Sequence, residues 1–416
     1  MANSDAHRLR VVNIGIMLVF LSILTAGFAG ATLFTVDKTF ENRRLAAWPK
    51  LSVANAMNGK LLSVYSDAVR DRHLFRQHAV IGRNWVRMNI FGDGSAKGLT
   101  YGADGWLFLR GAAEGNCKRK SNAETLARDI DRYLQALPAS QQKVVAIFPD
   151  KEWLYPDKVK PAPTWLAQPL ASLKHLVASP SFARTSNGHA ISDGAADIHA
   201  CSSRRYEQDI DTVAQRIGNA LLDVRPLLIE RKAQSAEPIY YSQDTHWTHE
   251  TAGWMGGRIV ERLRPGLWRP DRYMVSPGTP MVMDLSRIAG LPREFIRPVL
   301  RSDRPGVKQV KADFTLRFSP RQPVRQFAST SASAKSPLIE GRTAVVYDSF
   351  LIPSYNVISP YFENITWLFW DDFERPEVQK MIRDADRVVF ASIYRLMPER
   401  AGQMAKLTDL GRAKTN

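Results

Sequence analysis

Asp244, His246 and Ser349 are the residues whose types and surroundings suggest catalysis. A serine hydroxyl becomes a nucleophile when an imidazole accepts its proton, and a carboxylate can hold that imidazole in the required tautomer. Asp244 and His246 are separated by one residue, and Ser349 follows Asp348 directly after the apolar run 343–347. The three residues are therefore the candidate orienting acid, base and nucleophile.

An Asp two residues before a His is not rare in this chain, so the local structure has to distinguish the pairs. Residues i and i+2 share a face in a strand but point apart on a helix. Only Asp244 and His246 follow an extended-looking run, 239–242, and precede a helical stretch, which places both at the carboxyl end of a strand, where α/β sheets have their sites. The other pairs are predicted in a cytoplasmic tail, a helix and a surface loop, respectively: Asp5 and His7, Asp71 and His73, Asp197 and His199.

Two other interpretations of these residues stay open. Asp244 and Ser349 are also good helix-capping residues, in which case His246 would only be a hydrogen-bonded neighbour. Asp244, His246 and His249 are potential metal ligands, but His249 and Glu250 do not form the His-Glu-x-x-His zinc pattern. We expect no metal at the site and no bound cofactor.

Apolar runs that suit buried strands recur along the chain, and one of them, 343–347, ends just before Ser349. They alternate with helical stretches such as 124–137 and 376–383, and this alternation is typical of a mostly parallel α/β sheet flanked by helices. The predicted strands are 144–148, 343–347, 365–369 and 387–391. The Ser/Ala-rich stretch 328–336 is predicted to be a flexible connection or a loop.

The N-terminal segment predicts a membrane anchor. Residues 11–34 carry no charged side chain and would cross a bilayer as a helix. Arg8 and Arg10 upstream place residues 1–10 in the cytoplasm and everything after the span outside, in the periplasm of a single-pass inner-membrane protein. Cleavage as a signal peptide near Ala29 is the alternative.

Charge and cysteine content exclude several classes of function. The net charge of +16 would suit nucleic acid, but the charged part of the chain lies across the membrane from the genome, so we expect no nucleic-acid partner. Two cysteines, Cys117 and Cys201, cannot build a zinc ribbon or an iron–sulfur site. In an oxidising compartment they can pair as a disulfide, or stay as two small apolar residues.

Several sequence blocks, in this order, resemble those of the SGNH-hydrolase-like periplasmic polysaccharide acetyltransferases typified by the alginate O-acetyltransferases. The blocks are Asp71-Arg72-His73-Leu74-Phe75-Arg76, Gly102-Ala103-Asp104-Gly105-Trp106-Leu107-Phe108, Pro149-Asp150-Lys151 with Tyr155-Pro156-Asp157, Asp244-Thr245-His246-Trp247-Thr248 and Asp348-Ser349-Phe350. The resemblance as a whole extends over about half of the chain. The chain departs from the family at Tyr347, where the family has a glycine.

An excess of Lys and Arg from Arg293 to Arg325 indicates a basic insert near 293–336. Around it, the resemblance implies an SGNH-like catalytic domain over 101–400. It would be preceded by a membrane-proximal helical segment, 35–100, and followed by a C-terminal tail, 401–416. In such a domain Ser349 is acylated by an acetyl donor and passes the acetyl group to a polysaccharide hydroxyl. His246 is then the general base and acid, and Asp244 holds its tautomer.

By the same analogy, the acetyl donor is a multi-spanning membrane acyltransferase, which the N-terminal helix would keep nearby. Tyr355 and Trp247 are predicted to contact the glycan. Two alternative functions remain at this point. One is a glycan acetyl-esterase of the same fold, and the other is a non-catalytic polysaccharide-binding or assembly subunit.

Overall fold

The computed structural model describes residues 14–22, 25, 46–47, 64, 66–68, 71, 76–89, 98–159, 190–270, 273–311 and 322–413. The chain divides into two compact units, one of Met1–Asp93, Thr164–Leu173 and Ser286–Pro292, and a larger one of Gly94–Pro163, Lys174–Leu285 and Arg293–Asn416. All the predicted catalytic residues belong to the larger unit.

The predicted cytoplasmic tail, 1–10, and most of the predicted anchor, 11–34, lie outside the described residues. Within the anchor, residues 14–22 are helical and exposed. Among the described helices, none combines the length and the hydropathy that a membrane span requires.

The helices of the described residues begin with α1 (Arg76–Asn89), which belongs to the smaller unit. Short 3-10 helices follow several strands, and the one at Ser349–Ser354 carries the candidate nucleophile. The further helices are α2 (Arg110–Lys118), α3 (Ala123–Gln135), α4 (Lys151–Leu154), α5 (Pro156–Val159), α6 (Ala190–Ile217), α7 (Arg225–Gln234), α8 (His249–Leu263), α9 (Asp284–Ile288), α10 (Tyr355–Ile358), α11 (Pro376–Arg383) and α12 (Met397–Ala413).

Three two-stranded ladders and one six-stranded sheet contain the strands of the described residues. The ladders pair β1 (Thr100–Tyr101) with β2 (Leu107–Phe108), β4 (Tyr273–Ser276) with β7 (Val299–Ser302), and β5 (Pro280–Val282) with β6 (Glu294–Ile296). The large sheet comprises β3 (Gln142–Phe148), β8 (Val307–Lys311), β9 (Arg325–Ser331), β10 (Ile339–Tyr347), β11 (Phe362–Phe369) and β12 (Arg387–Ile393). It forms the centre of the larger unit, in the order β3-β12-β10-β11-β9-β8.

The central sheet is mixed rather than parallel throughout. Strands β3, β12, β10 and β11 run parallel to one another, which confirms the four strands predicted from apolar runs. Strands β9 and β8 are antiparallel additions at one edge. Because the four parallel strands share a direction, the residues that follow their carboxyl ends meet at one edge of the sheet.

Alternate side chains of the parallel strands pack into two separate cores, one on each face of the sheet. In β3, Val144 and Phe148 face a core that includes residues of α7 and α8. Val145 and Ile147 face the opposite core, which includes residues of α3, α6, α11 and α12. Helices therefore cover both faces, as predicted for an α/β fold.

The structure differs from the predictions at two outer segments, the Ser/Ala-rich stretch and the C-terminal tail. Of the stretch 328–336, predicted to be a flexible connection or loop, residues 328–331 belong to strand β9 (Arg325–Ser331), whose backbone pairs with both β8 and β11. Residues 332–336 form the turn that follows the strand. Val307–Lys311 and β9 both lie within the range of the predicted basic insert, 293–336, and both are strands of the central sheet. Residues 312–321 of this range lie outside the described residues. The predicted C-terminal tail continues helix α12 to Ala413, with Ala401 and Met404 buried against the sheet.

Close packing of α8 brings the His246 loop next to the Ser349 helix. Helix α8 begins at His249, just after the loop, and Thr248 caps it by accepting a hydrogen bond from the Thr251 N–H. A Cβ on Gly256 would lie 2.8 Å from the Ser354 side chain, nearer than real Cβ contacts come. Glycine at this position therefore lets the two elements approach closely.

Candidate active site

Ser349 lies at the carboxyl end of β10, as the first residue of the 3-10 helix. The preceding residue, Asp348, is buried and fixes this turn through both carboxylate oxygens. Its Oδ1 accepts a hydrogen bond from the Phe350 N–H at 3.0 Å. Its Oδ2 accepts from the Ser392 hydroxyl at 3.0 Å and from the Ile393 N–H at 2.7 Å, which ties the turn to the end of β12.

The structure brings the three predicted catalytic residues into one chain of hydrogen bonds. Nε2 of His246 lies 2.8 Å from Oγ of Ser349, and Nδ1 of the same ring lies 2.6 Å from Oδ1 of Asp244. A carboxylate only accepts hydrogen bonds, so Nδ1 carries the proton and Nε2 is left to accept the serine O–H. This is the tautomer that a general base needs.

The three hydrogen-bonded residues differ in their access to solvent. The Asp244 side chain is buried, whereas the His246 side chain is 30% exposed and Ser349 is half-buried. On its other side the imidazole packs against the Phe350 ring, with centroids 4.8 Å apart. A substrate can therefore reach the hydroxyl, while the carboxylate stays shielded from water.

Asp244 is held in its ionised form by hydrogen bonds. Burial raises the pKa of its carboxyl, but the bonds from the His246 ring and from the N–H groups of Asp284 and His246 outweigh this effect and lower the pKa to about 2. The Asp284 N–H donates to Oδ2 at 2.8 Å and the His246 N–H to Oδ1 at 3.0 Å. The carboxylate is thus oriented by the backbone on both sides.

Asp244 and His246 lie in a loop and not at the end of a sheet strand, contrary to the prediction. The loop is closed by an isolated antiparallel bridge between Tyr240 and Trp247. Inside it, the Tyr241 N–H donates to the His246 carbonyl at 3.2 Å. The Asp244 carboxylate accepts the His246 N–H, an Asx turn, and this local bond brings the two side chains onto the same side.

Asp284, the first residue of α9, is a part of the site that the sequence did not reveal. Its carboxylate accepts hydrogen bonds from the Thr245 N–H, at 2.7 Å, and from the Thr245 hydroxyl. One of its oxygens lies 3.7 Å from Nδ1 of His246. Burial, and then repulsion from Asp244, raise the pKa of Asp284. No motif marks this residue, because it reaches the site only through the tertiary fold.

One set of three residues among those described has a spacing suited to a cation. Asp244, His246 and Asp284 each offer a ligand atom, and these atoms lie within 4.8 Å of one another. All three side chains are already engaged in the hydrogen bonds above. His249, the third ligand in the metal interpretation, turns to Tyr241 instead, with its Nδ1 2.9 Å from that hydroxyl. Burial, then the nearby charge of Arg297, lowers the pKa of His249 to about 4.

The two residues predicted to contact the glycan are buried, so those predictions are wrong. Trp247 is almost inaccessible, and its indole N–H donates to the Phe350 carbonyl at 2.8 Å. Tyr355 lies under the sheet end, with its ring packed against the rings of Tyr347 and Trp367. Both side chains therefore contribute to the packing around the nucleophile turn, because aromatic rings bury large apolar areas.

Tyr347, which replaces the glycine of the family pattern, does not strain the nucleophile turn. Among the described residues other than glycine, only Asp104 has a positive φ, so the backbone at Tyr347 keeps an ordinary strand conformation. Its side chain is fully buried among the rings of Tyr355, Trp367 and Phe369. The turn to Ser349 therefore requires no glycine in this chain.

Helix α6 contains two of the remaining sequence features. Cys201 is joined by a disulfide to Cys117 of α2, with Cα atoms 5.9 Å apart. The prediction of a surface loop at Asp197 and His199 is wrong, because both residues lie in this helix. His199 is buried, with Nε2 3.0 Å from the Thr100 hydroxyl, and Asp197 does not orient its ring because residues i and i+2 of a helix point apart.

Comparisons with known proteins give structural likenesses only. No protein-family model matches the chain. No curated protein matches it either. One similar solved structure is a DHHW family protein from Eubacterium siraeum, at 12% identity and a TM-score of 0.45, covering 76% of this chain and 97% of that one.

Two further similar structures come from pseudomonads. AlgX of Pseudomonas aeruginosa is 14% identical at a TM-score of 0.38, covering 71% of this chain and 61% of its own. The O-acetyltransferase domain of Pseudomonas putida AlgJ is 15% identical at a TM-score of 0.37, covering 74% of this chain and 99% of its own. These identities and scores are low, so the function has to be argued from this chain's own residues.

Proposed function

We propose that this protein is an O-acetyltransferase that passes an acetyl group through Ser349 to a hydroxyl of an exopolysaccharide or another cell-envelope glycan. The proposal rests on one observation, the pair of hydrogen bonds that links Ser349 Oγ to His246 and His246 to Asp244. The sequence blocks that resemble the alginate O-acetyltransferases support the choice of an acetyl group and a glycan acceptor. They also support assignment of the mixed α/β fold to the SGNH-hydrolase-like class.

In the first half of the reaction, Ser349 takes the acetyl group from its donor. The Ser349 hydroxyl gives its proton to His246 Nε2 while Oγ attacks the carbonyl carbon of the donor. His246 then gives this proton to the leaving group as the bond between donor and acetyl breaks. Throughout, the Asp244 carboxylate stabilises the positive charge that forms on the imidazole.

In the second half, a glycan hydroxyl takes the place of the donor. It gives its proton to His246 Nε2, its oxygen attacks the acetyl carbonyl carbon, and the bond to Ser349 Oγ breaks. The proton on His246 returns to Oγ, so the enzyme is regenerated with no net change in protonation. The second half-reaction repeats the proton transfers of the first in reverse order, so both need the same position of the imidazole.

The negative oxygen of each tetrahedral intermediate needs a hydrogen-bond donor nearby. The first N–H groups of a helix have no partner inside it. In the 3-10 helix, the Phe350 N–H is taken by Asp348, whereas Ser349 is the leading residue. The Ser349 N–H is therefore the donor that we assign to the oxyanion.

The partners and location are part of the same proposal. The acetyl donor is a multi-spanning membrane acyltransferase, and residues 11–34 anchor the chain beside it with the catalytic unit in the periplasm. The disulfide between Cys117 and Cys201 supports an oxidising compartment, because such bonds are rare in the cytosol. No nucleic acid and no bound cofactor take part.

Hydrolysis is the competing reaction that the geometry favours most. With His246 30% exposed, water can reach the same position as a sugar hydroxyl. An acetyl-esterase would use identical residues and differ only in the acceptor. The test therefore has to measure both products.

The test is a two-product assay on the full-length protein in detergent. p-Nitrophenyl acetate is supplied with and without oligosaccharide acceptors, and p-nitrophenol release is measured beside acetylated oligosaccharide by mass spectrometry. We expect acetylated oligosaccharide to form when the acceptor is present, and less free acetate to be released than without the acceptor. Free acetate as the sole product would establish the esterase instead.

Ser349→Ala should reduce both products to the uncatalysed rate. Ser354→Ala is the matched control, because its hydroxyl lies in the same helix but donates to the Leu351 carbonyl. It should retain most of the activity. If glycan acetylation survives in cells that carry Ser349→Ala, the protein is a non-catalytic subunit.

A further inference from the structure

Lys151 is a buried cation that the mechanism above leaves unused. It is the first residue of α4, just past the carboxyl end of β3, and only 3% of it is exposed. Its Nζ donates to three backbone carbonyls, those of Tyr241 at 3.1 Å, Ser242 at 2.9 Å and Asp244 at 2.8 Å. An ammonium group has three N–H donors, so this one set of carbonyls uses them all.

The three carbonyls belong to the loop that presents Asp244 and His246. A shielded carbonyl that loses its hydrogen-bond donor is destabilising, and Lys151 donates to three carbonyls of one short loop, so the ammonium helps to hold this loop in its present shape. The rings of Trp106 and Phe108 lie 5.4 and 5.2 Å from Nζ and hold it from the other side.

Two sequence blocks that the mechanism left without a role therefore meet at this loop. The block 149–151 supplies the ammonium, and the block 102–108 supplies the two rings. The second block also contributes the Leu107 N–H, which donates to the Ser242 carbonyl at 2.9 Å. Both blocks contact the backbone of the same turn.

We propose that Lys151 is a positioning residue, which fixes the 241–244 loop so that Asp244 holds His246 in line with Ser349. It touches no substrate and acts through the Asp244 backbone. The inference rests on the proposed function for its kinetic consequence, but the loop geometry that it explains is independent of acyl transfer.

The charges around Lys151 make this device sensitive to pH. Burial lowers the pKa of its ammonium to about 7. The carboxylates of Asp284, Asp244 and Glu152 act in the opposite direction and raise this pKa, whereas the positive charge of Arg395 lowers it further. The ammonium cation has three N–H donors for the three carbonyls. The neutral amine has only two N–H donors, so one carbonyl loses its hydrogen bond from Lys151. Rising pH should therefore loosen the loop.

The test compares Lys151→Met with Lys232→Met in the full-length protein. Methionine keeps the length of the side chain but removes all donors. Lys232 is the matched control, since its Nζ also donates to a backbone carbonyl and lies over an aromatic ring, but the carbonyl is that of Leu154, at 2.7 Å, and the ring is that of Tyr155.

We expect Lys151→Met to lower kcat for p-nitrophenyl acetate about 100-fold with little change in KM, because misplaced reacting groups cost about that much. Lys232→Met should retain the wild-type kcat. In proton NMR, the downfield signal of the His246 Nδ1–H in its bond to Asp244 should persist in Lys232→Met and disappear in Lys151→Met. Wild-type kcat and an intact signal in Lys151→Met would overturn the inference.

Lys151→Arg provides an independent measurement if the Met variant fails to fold. Its guanidinium stays protonated at every accessible pH. We expect kcat of the wild type to decline as pH rises past about 7, and this decline to vanish in Lys151→Arg. A decline at the same pH in both proteins would overturn the inference. If the wild type turns over no ester, the proposed function fails, and the NMR comparison alone decides the role of Lys151.

Discussion

Replacing Asp244 by Asn should change how stability depends on pH. In the folded protein this carboxylate receives hydrogen bonds from the His246 ring and from the N–H groups of His246 and Asp284, and these lower its pKa to about 2 despite burial. In the unfolded chain its pKa returns to about 3.9. The carboxylate therefore stabilises the fold only where it is ionised.

The sign and size of this contribution follow from the two pKa values. Because the folded pKa is the lower one, the contribution is fully present above about pH 5 and is lost as pH falls towards 2. The gap between the two pKa values corresponds to about 3 kcal/mol of unfolding free energy, of which about 2 kcal/mol is lost between pH 5 and pH 2. Asparagine does not titrate, so Asp244→Asn should lack this part of the pH dependence.

The assay is urea unfolding of the wild type and Asp244→Asn at several values between pH 5 and pH 2. Asparagine also changes the hydrogen bonds at every pH. The informative quantity is therefore how the difference in unfolding free energy between the two proteins changes with pH. The wild-type advantage should shrink by about 2 kcal/mol across this window. In a His246→Gln background the change should be smaller, because the ring bond to Asp244 is gone. An advantage that is constant from pH 5 to pH 2 would refute the claim that these hydrogen bonds stabilise the ionised carboxylate.

Three further predictions concern residues around the site. Asp284→Asn should lower kcat about tenfold, or about 1.4 kcal/mol, because it removes a negative charge 3.7 Å from the His246 Nδ1; steady-state kinetics with unchanged kcat would contradict this. Tyr347→Gly should lower the unfolding free energy by about 3–5 kcal/mol, since a fully buried ring is lost, and urea unfolding within about 1 kcal/mol of wild type would contradict it. Replacing both Cys117 and Cys201 by Ser should cost about 4–5 kcal/mol for opening a loop of 84 residues, and calorimetry showing the same Tm would contradict it.

The central strands could be predicted from the sequence because they are buried on both faces. Such strands are continuous apolar runs, and β3, β10, β11 and β12 all contain one. Strand β9 was missed, because it lies on the antiparallel side of the sheet and alternates buried Phe327 and Ser329 with exposed neighbours. Its Ser-rich composition resembles that of a loop.

The juxtaposition of Asp244, His246 and Ser349 was predicted from residue types and motif order. The prediction that a strand aligns Asp244 and His246 is wrong, because an Asx turn in a loop aligns them instead. Asp284 and Lys151 were missed as parts of the site because each contacts it through tertiary structure. His199 was misplaced because helix α6 begins in a Ser/Gly-rich stretch that is typical of a loop.

The most direct test of the central claim is to find the acetyl group on Ser349. Full-length protein is mixed with p-nitrophenyl acetate, quenched in acid within the first turnover and mapped by peptide mass spectrometry, with and without a chase of oligosaccharide. The proposed mechanism predicts one acetyl group on the peptide that contains Ser349, and its loss to the sugar during the chase. Acetylated oligosaccharide formed without any label on Ser349, or a label on another residue that discharges to the sugar, would contradict it.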